Sequence, residues 1–398
     1  MEVKPGYKQP EVGVIPEEWD VKTLGDVGST YGGLTGKTKA DFGEGPARYI
    51  TFMNVMSNVV IDSGIFEQVQ VSPTESQNRA KKGDLFFNGS SETPEEVAMC
   101  SVLLDEVRDV YLNSFCFGFR FHDGAETDGL FLAYYLRSKE GRELMKSLAQ
   151  GSTRYNLSKA ALLKSSLRLP KLPEQRAIAT ALSDVDGLLG GLNRLIAKKR
   201  DLKQAAMQQL LTGQTRLPGF HAEWEVKRLG DVASVSKGTQ LHSSETDDGG
   251  KFAHLNGGIT PSSYTHKSNT DGNTIAISEG GNSCGFVQFM TEPYWCGGHC
   301  YSVIPNSVDN HFLYHALKGQ QSAIMGLRVG SGLPNVQKTG LLDFKIALPA
   351  TLPEQTAIAE VLTEVDGELA VLEQRREKTR SLKQAMMQEL LTGRTRLV

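Results

Sequence analysis

LPEQRAIATALSDVDGLLGGLNRLIAKKRDLKQAAMQQLLTGQTRL, residues 172–217, recurs 180 residues later as LPEQTAIAEVLTEVDGELAVLEQRREKTRSLKQAMMQELLTGRTRL, residues 352–397. Roughly 28 of the 46 positions are identical without a gap, far beyond chance, so the chain carries an internal duplication.

Each copy predicts one long helix. Pro173 falls in the first turn, where its missing N–H costs nothing, and Glu174 suits the positive helix end. Ile178, Leu182, Val185, Leu189, Leu192 and Ile196 follow in alternating steps of four and three, and Ile358, Leu362, Val365, Leu369 and Leu372 repeat that seam. After Lys198-Lys199-Arg200 the apolar face is expected to resume at Leu202, Ala206 and Leu210, as at Leu382, Met386 and Leu390 after Arg375-Arg376. Gly213 and Gly393 stand where a C-terminal cap would. A rod of about 60 Å is too long for one globular core and needs a partner along its length. A single heptad reads most plainly as core packing, but two near-identical copies predict an antiparallel pair acting as a spacer.

A globular segment precedes each helix. Glu18-Trp19-Asp20-Val21-Lys22-Thr23-Leu24-Gly25-Asp26-Val27 recurs as Glu223-Trp224-Glu225-Val226-Lys227-Arg228-Leu229-Gly230-Asp231-Val232. Past these entries the segments diverge, sharing anchors such as Phe131-Leu132 with Phe312-Leu313, and Asn156 and Lys159 with Asn335 and Lys338. Mixed strand and helix patterns with many glycines predict α+β domains. The expected division is an N-terminal segment 1–18, a first domain 19–171, a first helix 172–217, a linker 218–223, a second domain 224–351 and a second helix 352–398. The expected architecture is two globular domains separated by two long antiparallel helices, with pseudo-two-fold symmetry.

Composition narrows the class. The net charge is −3, and neither domain nor either helix is strongly basic, so a nucleic-acid binder of this kind needs a local patch or a partner to neutralise phosphates. No apolar run is long enough to span a bilayer, and the N-terminus lacks the apolar core of a signal peptide, so a cytoplasmic location without membrane contact is expected. Cys100, Cys116, Cys284, Cys296 and Cys300 do not suggest a disulfide framework.

Catalytic motifs are weak. Gly32-Gly33-Leu34-Thr35-Gly36-Lys37-Thr38 resembles a phosphate-binding P-loop one residue short, without a helix-forming sequence behind it. A Gly/Thr/Lys surface loop is the plainer reading. Cys296-Gly297-Gly298-His299-Cys300 with Cys284 matches no usual zinc spacing, so no metal site is assigned. No catalytic residue is assigned either.

Taken together, the two LPEQ…LKQ…LLTG…RL blocks, the Trp-x-Val-x-x-Leu-Gly-Asp-Val entries at Trp19 and Trp224 and the divergent segments between them resemble the specificity subunit of Type I restriction-modification enzymes over nearly the whole chain. The resemblance implies a non-catalytic subunit whose two target-recognition domains each read one half of a split, asymmetric site in double-stranded DNA, with the helix pair fixing the unread spacer. It further implies two methylation subunits that modify adenine with S-adenosylmethionine, and two restriction subunits that use ATP and magnesium to translocate and cleave in host defence; none of these cofactors is expected in this chain. A helical scaffold without DNA readout is the alternative, and a degenerate P-loop NTPase the remotest. Asn or Gln suits adenine and Arg or Lys suits guanine, so the polar loops supply the DNA-binding candidates. In the first domain these are Thr35, Lys37, Asn54, Asn88, Ser90, Arg154, Tyr155 and Asn156; in the second, Thr239, Gln240, Asn256, Asn282, Ser283, Asn335 and Lys338.

Overall fold

The computed structural model describes residues 6–10, 14–247, 249–330 and 332–397. Two compact units divide the chain: one combines residues up to Gly191 with those from Arg376 on, and the other runs from Leu192 to Arg375. Both boundaries fall inside the long helices rather than at their ends.

In the first unit, strands β1 (Gly28–Gly32), β2 (Leu85–Asn88), β3 (Cys100–Val102) and β4 (Cys116–Phe121) form an antiparallel sheet in the order β1-β4-β2-β3. Every residue of Leu85-Phe86-Phe87-Asn88 is buried, as expected of a strand covered on both faces. Helix α1 (Gly129–Arg137) starts where the Asp128 carboxylate accepts from the Phe131 N–H, and it buries Phe131 through Leu136. A second sheet places Phe42–Ile50 between Val110–Leu112, parallel to it, and Glu67–Val69, antiparallel. The entry strand Asp20–Thr23 pairs with the closing strand Ser166–Leu169.

The first long helix, α2, spans Leu172–Leu210, 39 residues or about 58 Å.

The second unit repeats the topology despite its divergent sequence. Strands β5 (Ala233–Lys237), β6 (Thr274–Ser278), β7 (Val287–Met290) and β8 (Cys300–Pro305) take the order β5-β8-β6-β7. Phe252–Leu255 pairs in parallel with Tyr294–Cys296 and antiparallel with Ser263–Thr265. Glu225–Arg228 pairs with Lys345–Leu348, and α3 (Asn310–Gly319) is capped by Asp309 as α1 is by Asp128. The second long helix, α4, spans Leu352–Leu390, also 39 residues.

Each unit packs the start of one long helix beside the end of the other. Ile178, Ala179 and Leu182 join Leu390 and Leu391 in the first core, and Ile358, Ala359 and Leu362 join Leu210 and Leu211 in the second. Across the pair in the second unit, Lys203 meets Asp366 at 2.5 Å, Lys199 meets Glu368 and Arg200 meets Glu373; in the first, Lys383 meets Asp186 at 2.6 Å. The helices are therefore antiparallel within each unit.

Along the expected seam, Ile178, Leu182, Leu192, Ile196, Ile358, Leu362 and Leu369 are buried, and Val185, Leu189, Val365 and Leu372 are half-buried. Leu202 and Leu382 correct the expectation for the far ends, for they are 53% and 55% exposed. At about 100° per residue, Leu202 lies about 200° round the helix from Leu182, on the opposite face. The inward face resumes instead at Ala206 and Leu210, and at Met386 and Leu390. Gly213 and Gly393 take φ of +70° and +74° just beyond the helix ends. At Gly393 a Cβ would also come within 2.6 Å of Pro16 Cγ, so both backbone and space require glycine there.

Candidate nucleic-acid interface

Backbone hydrogen bonds align the tips of the two main sheets residue by residue. The Gly89 N–H donates to Phe115 O at 3.0 Å and the Leu157 N–H to Gly89 O at 3.0 Å; in the second unit the Glu279 N–H donates to His299 O at 2.9 Å and the Val336 N–H to Glu279 O at 2.8 Å. Strand pairing sets Phe117 opposite Gly32, and Tyr301 opposite Lys237. Asn156 pairs with Ser90 as Asn335 does with Gly280. The tip thus carries Gly32, Gly89, Phe115, Phe117, Ser90 and Asn156 in one unit, against Lys237, Glu279, His299, Tyr301, Gly280 and Asn335 in the other.

The first tip gathers four of the candidates expected from the sequence. Arg154 is exposed, and its Nε and Nη2 donate to Ser90 Oγ at 3.1 and 3.0 Å, which holds the guanidinium without neutralising it. Exposed Asn156 donates to Arg154 O at 3.1 Å, and half-buried Tyr155 pairs with Ser91 in the same ladder. Lys159 lies 5.4 Å from the centre of the Phe117 ring.

Three first-domain candidates are corrected. Asn54 is fully buried; its amide donates to Asp62 O, and its Oδ1 accepts from Asn58 Nδ2 and the Asp62 N–H. Asn88 is also fully buried, donating to Ser90 O and Glu96 O and accepting from the Met99 N–H. Both amides are spent on holding turns, so neither can reach a base. The Lys37 side chain is 5% exposed and its amine meets Glu75 at 2.7 Å, which neutralises it. Gly36 has a φ of +67°, and a three-residue 3-10 helix at Lys39–Asp41 follows before the chain enters a strand, so this loop does not aim a helix N-terminus at phosphate. Thr35 is exposed and tied through its backbone to Gln77.

In the second unit a cavity of about 570 Å³ opens at the tip, bounded by Lys237, Asn256, Glu279, His299, Leu333 and Asn335 with glycines at 257, 258, 280 and 281. Asn256 is half-buried and accepts the His299 N–H at 3.0 Å, and Asn335 is exposed. Ser283 donates to Gly257 O at 2.7 Å beneath the cavity, and exposed Asn282 is its chain neighbour. Thr239 and Gln240 are exposed on the loop after β5, where the Thr239 N–H donates to Cys296 O; exposed Lys338 opens the short helix after Asn335.

Sequence reasoning missed the charged part of this cavity. Glu279, 13% exposed in its side chain, accepts from Lys237 Nζ at 2.6 Å and from Tyr301 OH at 3.1 Å, and its second oxygen lies 3.6 Å from His299 Nδ1. Burial, reinforced by Glu279, pushes the Tyr301 hydroxyl up to about 12, so it stays a donor. All five cysteines are buried and free, and among the described residues no His, Cys, Asp and Glu group could hold a metal ion.

Away from the tips, the repeated helix sequence lines a groove in each unit. Lys203, Gln204, Met207 and Gln208 with Leu369 and Lys318 border a cavity of about 1040 Å³ in the second; Lys383, Gln384, Met387 and Gln388 with Leu189 and Arg137 border one of about 560 Å³ in the first. Among the described residues, no helix is long and apolar enough to cross a membrane.

The family model described as Type I restriction modification DNA specificity domain matches residues 16–198 and 221–379. A protein named as type I specificity subunit S.MpnORF638P in Mycoplasma pneumoniae is 33% identical over 175 residues, 43% of this chain, and the match spans about half, 46%, of that relative. The Type I restriction enzyme MjaVIII specificity subunit of Methanocaldococcus jannaschii is 27% identical over 305 residues, covering 68% of this chain and 71% of that one. A crystal structure of the Type-I restriction-modification system S subunit from M. genitalium superposes with a TM-score of 0.69 at 19% identity, over 98% of both chains, a likeness of fold.

Proposed function

Because the chain belongs to the family of the Type I restriction modification DNA specificity domain, we propose that it is the subunit that chooses the DNA site for a restriction-modification complex. The observation that carries this reading is the pair of tips: one topology, one hydrogen-bond register, and different side chains at each equivalent position. Two readers built alike but lined unlike suit two different half-sites. Each recognition domain reads one half of a bipartite, asymmetric site, and the long helices set the stretch of unread bases.

The chain contributes recognition rather than chemistry. The grooves differ in volume but share the repeated residues Lys203/Lys383, Gln204/Gln384 and Met207/Met387, which suits them to receive two copies of one partner, the methylation subunits. Those subunits methylate an adenine in each half-site with S-adenosylmethionine. Two restriction subunits supply the ATP- and magnesium-dependent translocation and cleavage, in the cytoplasm. Partners that enclose the duplex also account for a recognition subunit of net charge −3, since they supply phosphate neutralisation.

The test is methylome sequencing of cells carrying this chain with its methylation subunit. A split motif with methyladenine in both halves is the expected result; a continuous motif, or none, would overturn the reading. A scaffold without readout gives no sequence-selective DNA binding in the presence of the methylation subunit.

A further inference from the structure

We propose that Lys237, fixed by Glu279, reads a guanine in the second half-site and that this ion pair sets the base preference there. The inference rests on the DNA-reading function proposed above and adds to it a residue and a base.

Lys237 ends β5 at the cavity edge with its side chain 51% exposed, whereas the Glu279 carboxylate behind it is 13% exposed. One lysine N–H goes to Glu279 Oε1 at 2.6 Å, and the ammonium carries two more. The carboxylate itself is located by the Tyr301 hydroxyl and faces the His299 ring. A lysine on a flexible stem is ordinarily a diffuse phosphate contact. Here the paired carboxylate cancels the charge that phosphate would attract, and would itself be repelled by a nearby phosphate. What remains is a directed donor beside an acceptor-only group, a pattern suited to base edges rather than backbone.

Guanine is the base that answers this donor. Its major-groove edge presents the O6 and N7 acceptors together, and lysine is one of the two side chains that pair with them. The cavity wall favours close approach: Gly257, Gly280 and Gly281 bring no side chains, and Gly257 and Gly281 have φ of +92° and +76°, where other residues are strained. In the first unit the register-equivalent positions are Gly32 and Gly89, so the pair is absent there. That tip carries Arg154, held by Ser90, instead. The Lys237 preference therefore belongs to one half-site only.

The experiment compares methylomes and competition binding of the complete methylation complex carrying the wild-type chain, Lys237→Met, Lys237→Arg or Glu279→Gln, with thermal melting to verify folding. In the wild type, one position of the second half-site requires guanine. Lys237→Met should lower discrimination there by about 10- to 100-fold while the first half-site stays unchanged. Lys237→Arg keeps a donor and should retain guanine. Glu279→Gln, which frees the lysine, should relax the same position and no other. An unchanged motif with uniformly weaker, less salt-sensitive binding would make Lys237 a phosphate contact and overturn the proposal, as would relaxation at a position that never required guanine. Absence of any split motif with the wild-type chain would overturn the DNA-reading function itself, a distinct result.

Discussion

Arg396 grips Glu174 with two parallel hydrogen bonds, Nε to Oε1 at 2.5 Å and Nη2 to Oε2 at 2.8 Å, although the two residues are 222 positions apart. Glu174 is 1% exposed and also accepts from Trp19 Nε1 at 3.2 Å, so the segment after α4, the first turn of α2 and the domain entry meet at one carboxylate. Arg216, Glu354 and Trp224 repeat the arrangement in the second unit, with the paired bonds at 2.6 and 2.7 Å. Removing the arginine strands a buried carboxylate. Arg396→Ala and Arg216→Ala are each expected to cost about 3–5 kcal/mol in denaturant unfolding, and a loss under about 1 kcal/mol at both would refute the clamp.

The helix seam makes a contrast that can be measured. Leu182 is fully buried in the first core, whereas Leu202 on the same helix is 53% exposed. Leu182→Ala should destabilise by about 2–5 kcal/mol. Leu202→Ala should change stability by no more than about 0.5 kcal/mol, because it leaves no cavity. Equal effects would mean that the exposed leucine is packed.

His315 gives the second unit a pH dependence. It is 1% exposed, its Nε2 lies 3.1 Å from Thr363 Oγ1, and burial pushes its imidazole down to about 4, an effect that Asp366 opposes and Lys203 and His311 reinforce. Since the folded value lies below the unfolded one near 6.5, the unfolded chain binds the proton more readily. This contribution is whole above about pH 6.5 and fades as pH falls from there to about 4, a loss of about 1–3 kcal/mol. His315→Tyr, which installs the residue that α1 carries at the matching place, Tyr134, should flatten the fall relative to wild type in unfolding titrations between about pH 7.5 and 4.5. Identical slopes would exclude His315 as the source.

Asn88 and Arg154 should separate structure from readout in the first unit. Asn88→Ala removes three hydrogen bonds from a buried turn, and a loss of about 2–4 kcal/mol is expected by thermal or chemical melting. Arg154→Ala touches only an exposed side chain held by Ser90, so melting should shift by less than about 0.5 kcal/mol while the first half-site loses selectivity. A folded Arg154→Ala complex with an unaltered motif would remove Arg154 from the interface.

What the sequence disclosed and what it concealed follow from the range of the interactions. The long helices were legible because Ile178, Leu182 and Ile358, Leu362 repeat on a local period, and Gly213 and Gly393 mark ends within a few residues. The repeated segment entries at Trp19 and Trp224 were legible as well. The ion pair at the second tip was not, because Lys237, Glu279 and Tyr301 come from separate parts of the sheet and meet only through the β5-β8-β6 pairing. Asn54 and Asn88 misled for the opposite reason: an asparagine beside an apolar run reads alike whether its amide faces solvent or locks a turn. Strand register, once assigned, was the signal that could have found Glu279, since it sets Lys237 opposite Tyr301 and Tyr301 opposite Ile277, two residues before Glu279.

The division of the compact units within α2 and α4 has a consequence for biosynthesis. The first unit takes Leu390, Leu391 and Arg396 into its core and clamp, yet these leave the ribosome only after the whole of the second unit. The second unit, continuous from Leu192 to Arg375, can close while the first still waits for the end of α4. A nascent chain interrupted after Arg375 would therefore carry one finished reader and one with a gap in its core, so a frameshift at that point would disable the half of the protein that was translated first.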